Sequence, residues 1–243
     1  MRVAVISDIH GNLHALEAVL AEIERERPDA LWCLGDLVGY GPRPNECCEA
    51  VRARVDLCLV GNHDLLALGK TVLPGDFNPD AADAGRWTRG VLDEQVVSFL
   101  QGLEPSAQAG GAELFHASPR DPVWEYVLSG ETALAALELT SAPIVLVGHS
   151  HVALAIGLAH GRLDGAPAPA GTELDLSEGR WLLNPGSVGQ PRDGDPRAAW
   201  LLLDLGARRA AYRRVEYPIE RTQAEIVEAG LPAGLAERLS SGV

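Results

Sequence analysis

Within the first 60 residues, three short apolar runs alternate with two segments of helical character, and each apolar run ends on a polar cluster. Residues 2–7 (RVAVIS), 30–35 (ALWCLG) and 55–60 (VDLCLV) are short, β-branched or aliphatic, and read as buried strands. After a turn at Gly11-Asn12, the apolar positions Leu13, Leu16, Val19, Leu20 and Ile23 recur at helical spacing, with Glu and Arg between them, and stop before Pro28. Residues 45–54 form the second helical segment. Strand, helix, strand, helix, strand predicts a parallel sheet with right-handed crossovers.

Further along, 69–90 is rich in Gly, Pro and Asp and reads as a surface excursion with a helical piece around Ala81–Trp87. Asp93, Val96, Val97, Leu100 and Leu103 predict another helix, and strands at 112–117 and 143–148 flank a helix near 130–140. From residue 150 the spacing predicts short strands at 152–157, 180–184, 198–204 and 210–216. Turn-rich stretches such as 160–171 separate them. The loops at 69–90 and 160–175 are expected to shape the mouth of any site. With no repeat and no linker, residues 1–243 read as one α/β domain, a sheet-on-sheet core flanked by helices.

The polar clusters carry the chemistry. Asp8-Ile9-His10, Gly35-Asp36, Gly61-Asn62-His63-Asp64, His116 and Gly148-His149-Ser150-His151 each follow an apolar run. Ligands in open α/β sheets gather at the carboxyl ends of strands, so these clusters are expected on one rim. Any one Asp or His there reads as a cap or a turn residue. Together they deliver carboxylate, amide and imidazole to one place, and Asp-x-His and His-x-His put alternate residues of an extended chain on the same side. That pattern points to metal. The mixed donor set suits Mn²⁺, Fe, Zn²⁺ or Ni²⁺ better than an all-oxygen Mg²⁺ or Ca²⁺ cage.

Charge narrows the partners. Thirty-four acidic against 20 basic residues leave a net charge of −14, which disfavours a nucleic-acid polymer but not a small phosphorylated substrate. The four cysteines form no C-x-x-C pair, and Cys33 and Cys58 read as small buried hydrophobes in strands. The N-terminus is a poor signal peptide and no stretch approaches a membrane span, so a soluble cytoplasmic protein is expected.

The series D-x-H, G-D, G-N-H-D, a single His after a strand, and G-H-S-H resembles the calcineurin-like metallophosphoesterases. GHSH and the later NPGS at Asn184–Ser187 are most similar to bacterial and archaeal members of the phosphodiesterase-like or diadenosine-tetraphosphatase-like kind. The motifs span about three quarters of the chain. The resemblance implies a four-layer α/β/β/α fold and two divalent ions. Asp8, His10 and His151 would hold one ion and Asn62, His116 and His149 the other, with Asp36 and a hydroxide bridging them. The hydroxide would attack the phosphate ester while His63, as general acid, protonates the departing alkoxide or stabilises the transition state, and Asp64 orients His63.

The second motif departs from that of serine/threonine phosphatases and symmetrical dinucleotide hydrolases, which resemble G-D-x-V-D-R-G. Here Gly35-Asp36-Leu37-Val38-Gly39-Tyr40-Gly41 lacks the Arg. Phosphate-side cations are therefore sought at Arg192 and Arg197, and Asn12 and Tyr40 are candidates to line the substrate pocket. His14 reads as a helix residue near the site and His160 as part of a hairpin turn. NPGS is expected to make a tight turn supporting the rim. The competing readings are a DNA-repair-type nuclease, which the acidic balance disfavours, and a non-catalytic scaffold of the kind a retromer subunit resembling this family provides. A scaffold would tend to have lost ligands that are all present here.

Overall fold

The computed structural model describes residues 1–70 and 78–243. Its elements are β1 (Arg2–Ile6), α1 (Leu13–Glu26), β2 (Ala30–Cys33), α2 (Pro44–Arg54), β3 (Leu57–Cys58), α3 (Asn62–Ala67), α4 (Pro79–Val91) and α5 (Glu94–Gln101). There follow β4 (Ser106–Ala109), β5 (Ala112–Phe115), α6 (Gly130–Leu139), β6 (Ile144–Leu146), β7 (Leu154–Ala159), β8 (Arg162–Pro167), β9 (Glu173–Asp175) and β10 (Arg180–Asn184). β11 (Ala198–Asp204), β12 (Arg209–Val215), α7 (Ile219–Glu228), α8 (Ala233–Glu237) and a 3₁₀ turn at Arg238–Ser240 complete the chain.

The strands form two six-stranded sheets, β3-β2-β1-β11-β12-β9 and β4-β5-β6-β10-β7-β8. Only part of the first sheet is parallel: β1, β2 and β3 run together as expected, whereas β11 lies antiparallel to β1 and carries β12 and β9 with it. The second sheet is likewise mixed, with β5, β6 and β10 parallel.

Side-chain alternation along each central strand builds the layers. Val3 and Val5 of β1, with Leu201 and Leu203 of β11, face the second sheet and meet Leu114, Leu146 and Leu183 in the inter-sheet core. Ala4, Ile6, Trp200 and Leu202 point the other way, onto Leu16, Val19, Leu20 and Ile23 of α1. The second sheet buries Val145 and Leu182 against Ala133, Ala136 and Leu137 of α6. The result is the four-layer α/β/β/α sandwich.

Local chemistry sets the boundaries. Asn12 caps α1 through its Oδ1, which accepts from Ala15 N at 3.2 Å, and Arg27 ends it in the left-handed conformation before Pro28. The helical piece expected around Ala81–Trp87 is part of α4, a 13-residue helix with Pro79 at its start; residues 71–77 of the excursion expected at 69–90 lie outside the described residues. The turn-rich reading of 160–171 is corrected, because 162–167 forms the edge strand β8. β8 and β9 are exposed and paired on one flank only, so they need no apolar alternation and carry Gly, Pro and charge instead. His160 sits in the β7–β8 turn as expected. Cys33 is buried, but its neighbour Cys58 on β3 is only half-buried. Among the described residues no helix is long and apolar enough to cross a membrane.

Candidate metal centre

The polar clusters leave strands of both sheets and meet where the ends of the sheets come together. Asp8, Asp36 and Asn62 follow β1, β2 and β3, whereas His116 and His149 follow β5 and β6 of the other sheet. The rim is thus shared between two sheets rather than being the edge of one. Backbone hydrogen bonds lace the loops together: Ile9 N and His10 N donate to Asp36 O at 2.8 and 3.0 Å, and Gly148 N donates to His116 O at 2.8 Å. Gly189 N donates to Asp8 O at 2.9 Å. The NPGS segment braces the same loops, with Asn184 Nδ2 donating to Gly148 O at 2.7 Å and Ser187 Oγ to Asp8 O at 2.7 Å.

The ligand-bearing backbone is not extended. Asp8, His10, Asp36, Tyr40, His149 and His151 all have φ between 51° and 64°, a left-handed conformation that costs a non-glycine residue on the order of 1 kcal/mol. The expected sharing of one side by alternate residues is therefore corrected for His149 and His151, which turn to different groups. Gly61 is required by close approach: a Cβ there would lie 2.0 Å from Asp36 Oδ1.

Two groups of ligating atoms result: Asp8, His10, Asp36 and His151 form one, and Asp36, His116 and His149 form the other. Within each group the atoms lie within 4.8 Å of one another, and every residue is buried. Asp36 belongs to both, its Oδ2 lying 3.6 Å from His10 Nε2 and 3.6 Å from His116 Nε2. His151 Nε2 lies 3.5 Å from Asp8 Oδ1 and 3.0 Å from His10 Nε2. Asn62 Oδ1 joins the second group, 3.1 Å from His116 Nε2.

The imidazoles are oriented by what their outer nitrogens touch. Nδ1 of His10, His116 and His151 faces the carbonyls of Val38, Leu34 and Gln190 at 3.0, 2.9 and 2.6 Å. A carbonyl only accepts, so Nδ1 carries the proton and the Nε2 lone pair turns inward. His149 is reversed: its Nε2 donates to Trp124 O at 3.2 Å, leaving Nδ1 as the acceptor.

Two observations show that these residues fit a cation. Asp8 Oδ1 and Asp36 Oδ2 are buried and have no hydrogen-bond partner. Burial, the largest cause, pushes the Asp8 carboxyl up to about 7 and Asp36 well above the carboxylate range, with Asp64 adding like charge at Asp36. Burial also drives His10, His63, His149 and His151 below the usual imidazole range, with Arg192 contributing to each. Buried carboxylates facing neutral imidazoles are what bound divalent cations stabilise.

The remaining candidates separate cleanly. Asp64 accepts from four backbone amides, Asp36 N, Gly61 N, Leu37 N and Val38 N, at 2.9–3.1 Å. Its carboxylate thereby shapes the loop that presents Asp36. Asn12 is buried, and its amide caps α1, donates to Gly189 O and accepts from Thr222 Oγ1. Arg197 forks onto Asp195, with its Nη2 2.7 Å from Oδ2, and is structural. His14 pairs with Glu225 of α7 at 3.2 Å.

A cavity of about 610 Å³ opens onto the centre, and Asn62, His63 and His149 line it together with Tyr40 and Arg192. Trp124, Tyr126 and Arg238 also line it, and none of them stood out in the sequence. The available signal was two aromatics within three residues of a turn-rich stretch, in a chain only 5% aromatic. Tyr126 stacks on His149, with centroids 3.9 Å apart and planes 15° apart. Asn78 and Ala81 bring the 69–90 region to the mouth, but none of the lining residues falls within 160–175.

A family model described as the calcineurin-like phosphoesterase superfamily domain matches residues 1–207. The chain belongs to that superfamily. A metallophosphoesterase structure from Sphaerobacter thermophilus superposes with a TM-score of 0.90 at 43% identity, covering 100% of this chain and 99% of that one. An uncharacterized protein of Methanocaldococcus jannaschii is 38% identical over 99% of this chain and 98% of its own length. The symmetrical bis(5′-nucleosyl)-tetraphosphatase of Erwinia tasmaniensis is 40% identical over 68 residues, which are 27% of this chain and 25% of that enzyme. Membership and the Asp/His clusters together make the chain a metal-dependent phosphoester hydrolase.

Proposed function

We propose that the protein hydrolyses a phosphodiester or phosphomonoester of a small, nucleotide-like molecule, with two divalent transition-metal ions (Mn, Fe, Zn or Ni) as cofactors. Asp36 carries this reading, since one of its oxygens stands equally far from an imidazole of each group. Asp8, His10 and His151 would hold one ion with Asp36, and Asn62, His116 and His149 the other. Bound there, such ions act as Lewis acids toward phosphoryl oxygens and lower the pKa of water.

The chain's own residues supply the rest. Asn62 is a neutral ligand at the cavity wall, so the substrate-facing group carries less negative charge than the group built around Asp8. His63 lines the cavity, where it can act on the departing oxygen, by giving it a proton or by stabilising the charge that develops there. Arg192 stands 5.7 Å from the Tyr40 ring centroid and donates to Tyr40 Oη at 3.3 Å, where it can neutralise non-bridging phosphate oxygens. The 68-residue match to bis(5′-nucleosyl)-tetraphosphatases supports a nucleotide-like substrate, and the net charge of −14 argues against a polymer.

The test is hydrolysis of bis-p-nitrophenyl phosphate by chelator-stripped protein. Turnover should be absent without metal and appear with Mn²⁺. Protein that binds the added ions yet shows no turnover with Mn²⁺, Ni²⁺, Fe²⁺ or Zn²⁺ would favour a binding role.

A further inference from the structure

We propose that Arg192 and Arg238 form a second anion subsite beside the catalytic centre, so that the substrate carries a phosphate group in addition to the one hydrolysed. This deepens the phosphoesterase reading and rests on it.

The two guanidinium groups converge on one neutral atom. Gln190 Oε1 accepts from Arg192 Nη2 at 2.8 Å and from Arg238 Nη1 at 3.4 Å. Gln190 is buried and fixed at both ends of its backbone: its N donates to Ser187 Oγ at 2.8 Å and its carbonyl accepts from His151 Nδ1 at 2.6 Å. The acceptor shared by the cations is thus anchored to the metal centre itself.

Two like charges drawn to a single amide oxygen repel one another, and among the described residues neither has a carboxylate partner. Some arginines elsewhere do have one: Arg43 with Glu225, Arg197 with Asp195, Arg214 with Asp193. Arg192 Nε is also buried without a partner. An anion bridging both forks would satisfy these donors and offset the repulsion.

Position separates this subsite from the scissile phosphate. Arg192 N donates to His151 O at 3.1 Å, and its Nη2 donates to Tyr40 Oη, whose ring lies 4.6 Å from His10 and 4.4 Å from His63, so it lies against the metal centre. Arg238 comes from the turn after α8, outside the 1–207 stretch that the family model matches, and lines the same cavity as Trp124 and Tyr126. Arg192 can therefore reach both phosphates, and Arg238 belongs to the outer one. The aromatic wall suits the organic body of a nucleotide.

The experiment compares two chromogenic diesters with the same leaving group, the p-nitrophenyl ester of thymidine 5′-phosphate and the same ester bearing a 3′-phosphate. With Mn²⁺ the wild type should prefer the doubly phosphorylated ester by about tenfold in kcat/KM, mostly through KM. Arg238→Gln should reduce that preference to within about twofold at unchanged melting temperature, and Arg238→Lys should restore part of it. A wild type without preference, or a preference that survives Arg238→Gln, overturns the second subsite. Failure to turn over either ester or bis-p-nitrophenyl phosphate overturns the underlying phosphodiesterase reading instead.

Discussion

The two halves of the centre are built from similar residues but sit in different surroundings. Asp8, His10 and His151 are sealed beneath the loops, the two histidines each 1% exposed, and none of the three lines the cavity. Asn62 and His149, of the other half, are both cavity-wall residues. The sealed half carries a carboxylate of its own, whereas the open half replaces it with a neutral amide. One carboxylate, Asp36, joins them. Under the proposed function, the sealed half would anchor and the open half would meet the substrate.

The sharpest way to break this contrast is at the open half. His63→Gln should slow alkyl esters, which have poor leaving groups, by about 10²–10⁴-fold, with a much smaller effect on p-nitrophenyl esters and bound metal unchanged. Equal loss on both substrate types would mean that His63 stabilises charge rather than delivering a proton.

At the sealed half the expected effect is on stability and is smaller. Asp8 has a native pKa of about 7 against 3.8 unfolded, so between these values the native state holds a proton that the unfolded chain has released. Its contribution is complete below about pH 4 and is lost as pH rises through about 7. In chelator-treated protein, Asp8→Asn should therefore gain stability relative to wild type from pH 5 to 8, by up to about 4 kcal/mol. Added Mn²⁺ should reverse the advantage. A difference in denaturation midpoint that is flat with pH would contradict the sealed-carboxylate picture.

The same contrast marks what could be read from the chain. The loops that carry Asp8 and His149 follow strands buried on both faces, so VAVI and IVLV announce themselves and the polar residue after each run is easy to locate. The left-handed backbone at Asp8, His10, His149 and His151 left no such trace, because tertiary hydrogen bonds rather than glycine impose it. β8 and β9 were hidden because an exposed edge strand needs no apolar alternation. Arg238 was hidden for another reason: it reaches the cavity only after α7 packs on α1, through pairs such as His14–Glu225, and brings the last turn over the site. Sequence patterns report burial, and a cavity wall assembled from half-buried residues on separate elements produces none.

The measurement that bears most directly on the joined centre is metal content after Asp36→Ala, determined on protein loaded with Mn²⁺ and freed of excess. Wild type should retain two ions per chain, and Asp36→Ala should fall well below that because both groups lose a ligand at once. An unchanged stoichiometry in the variant would contradict the shared carboxylate.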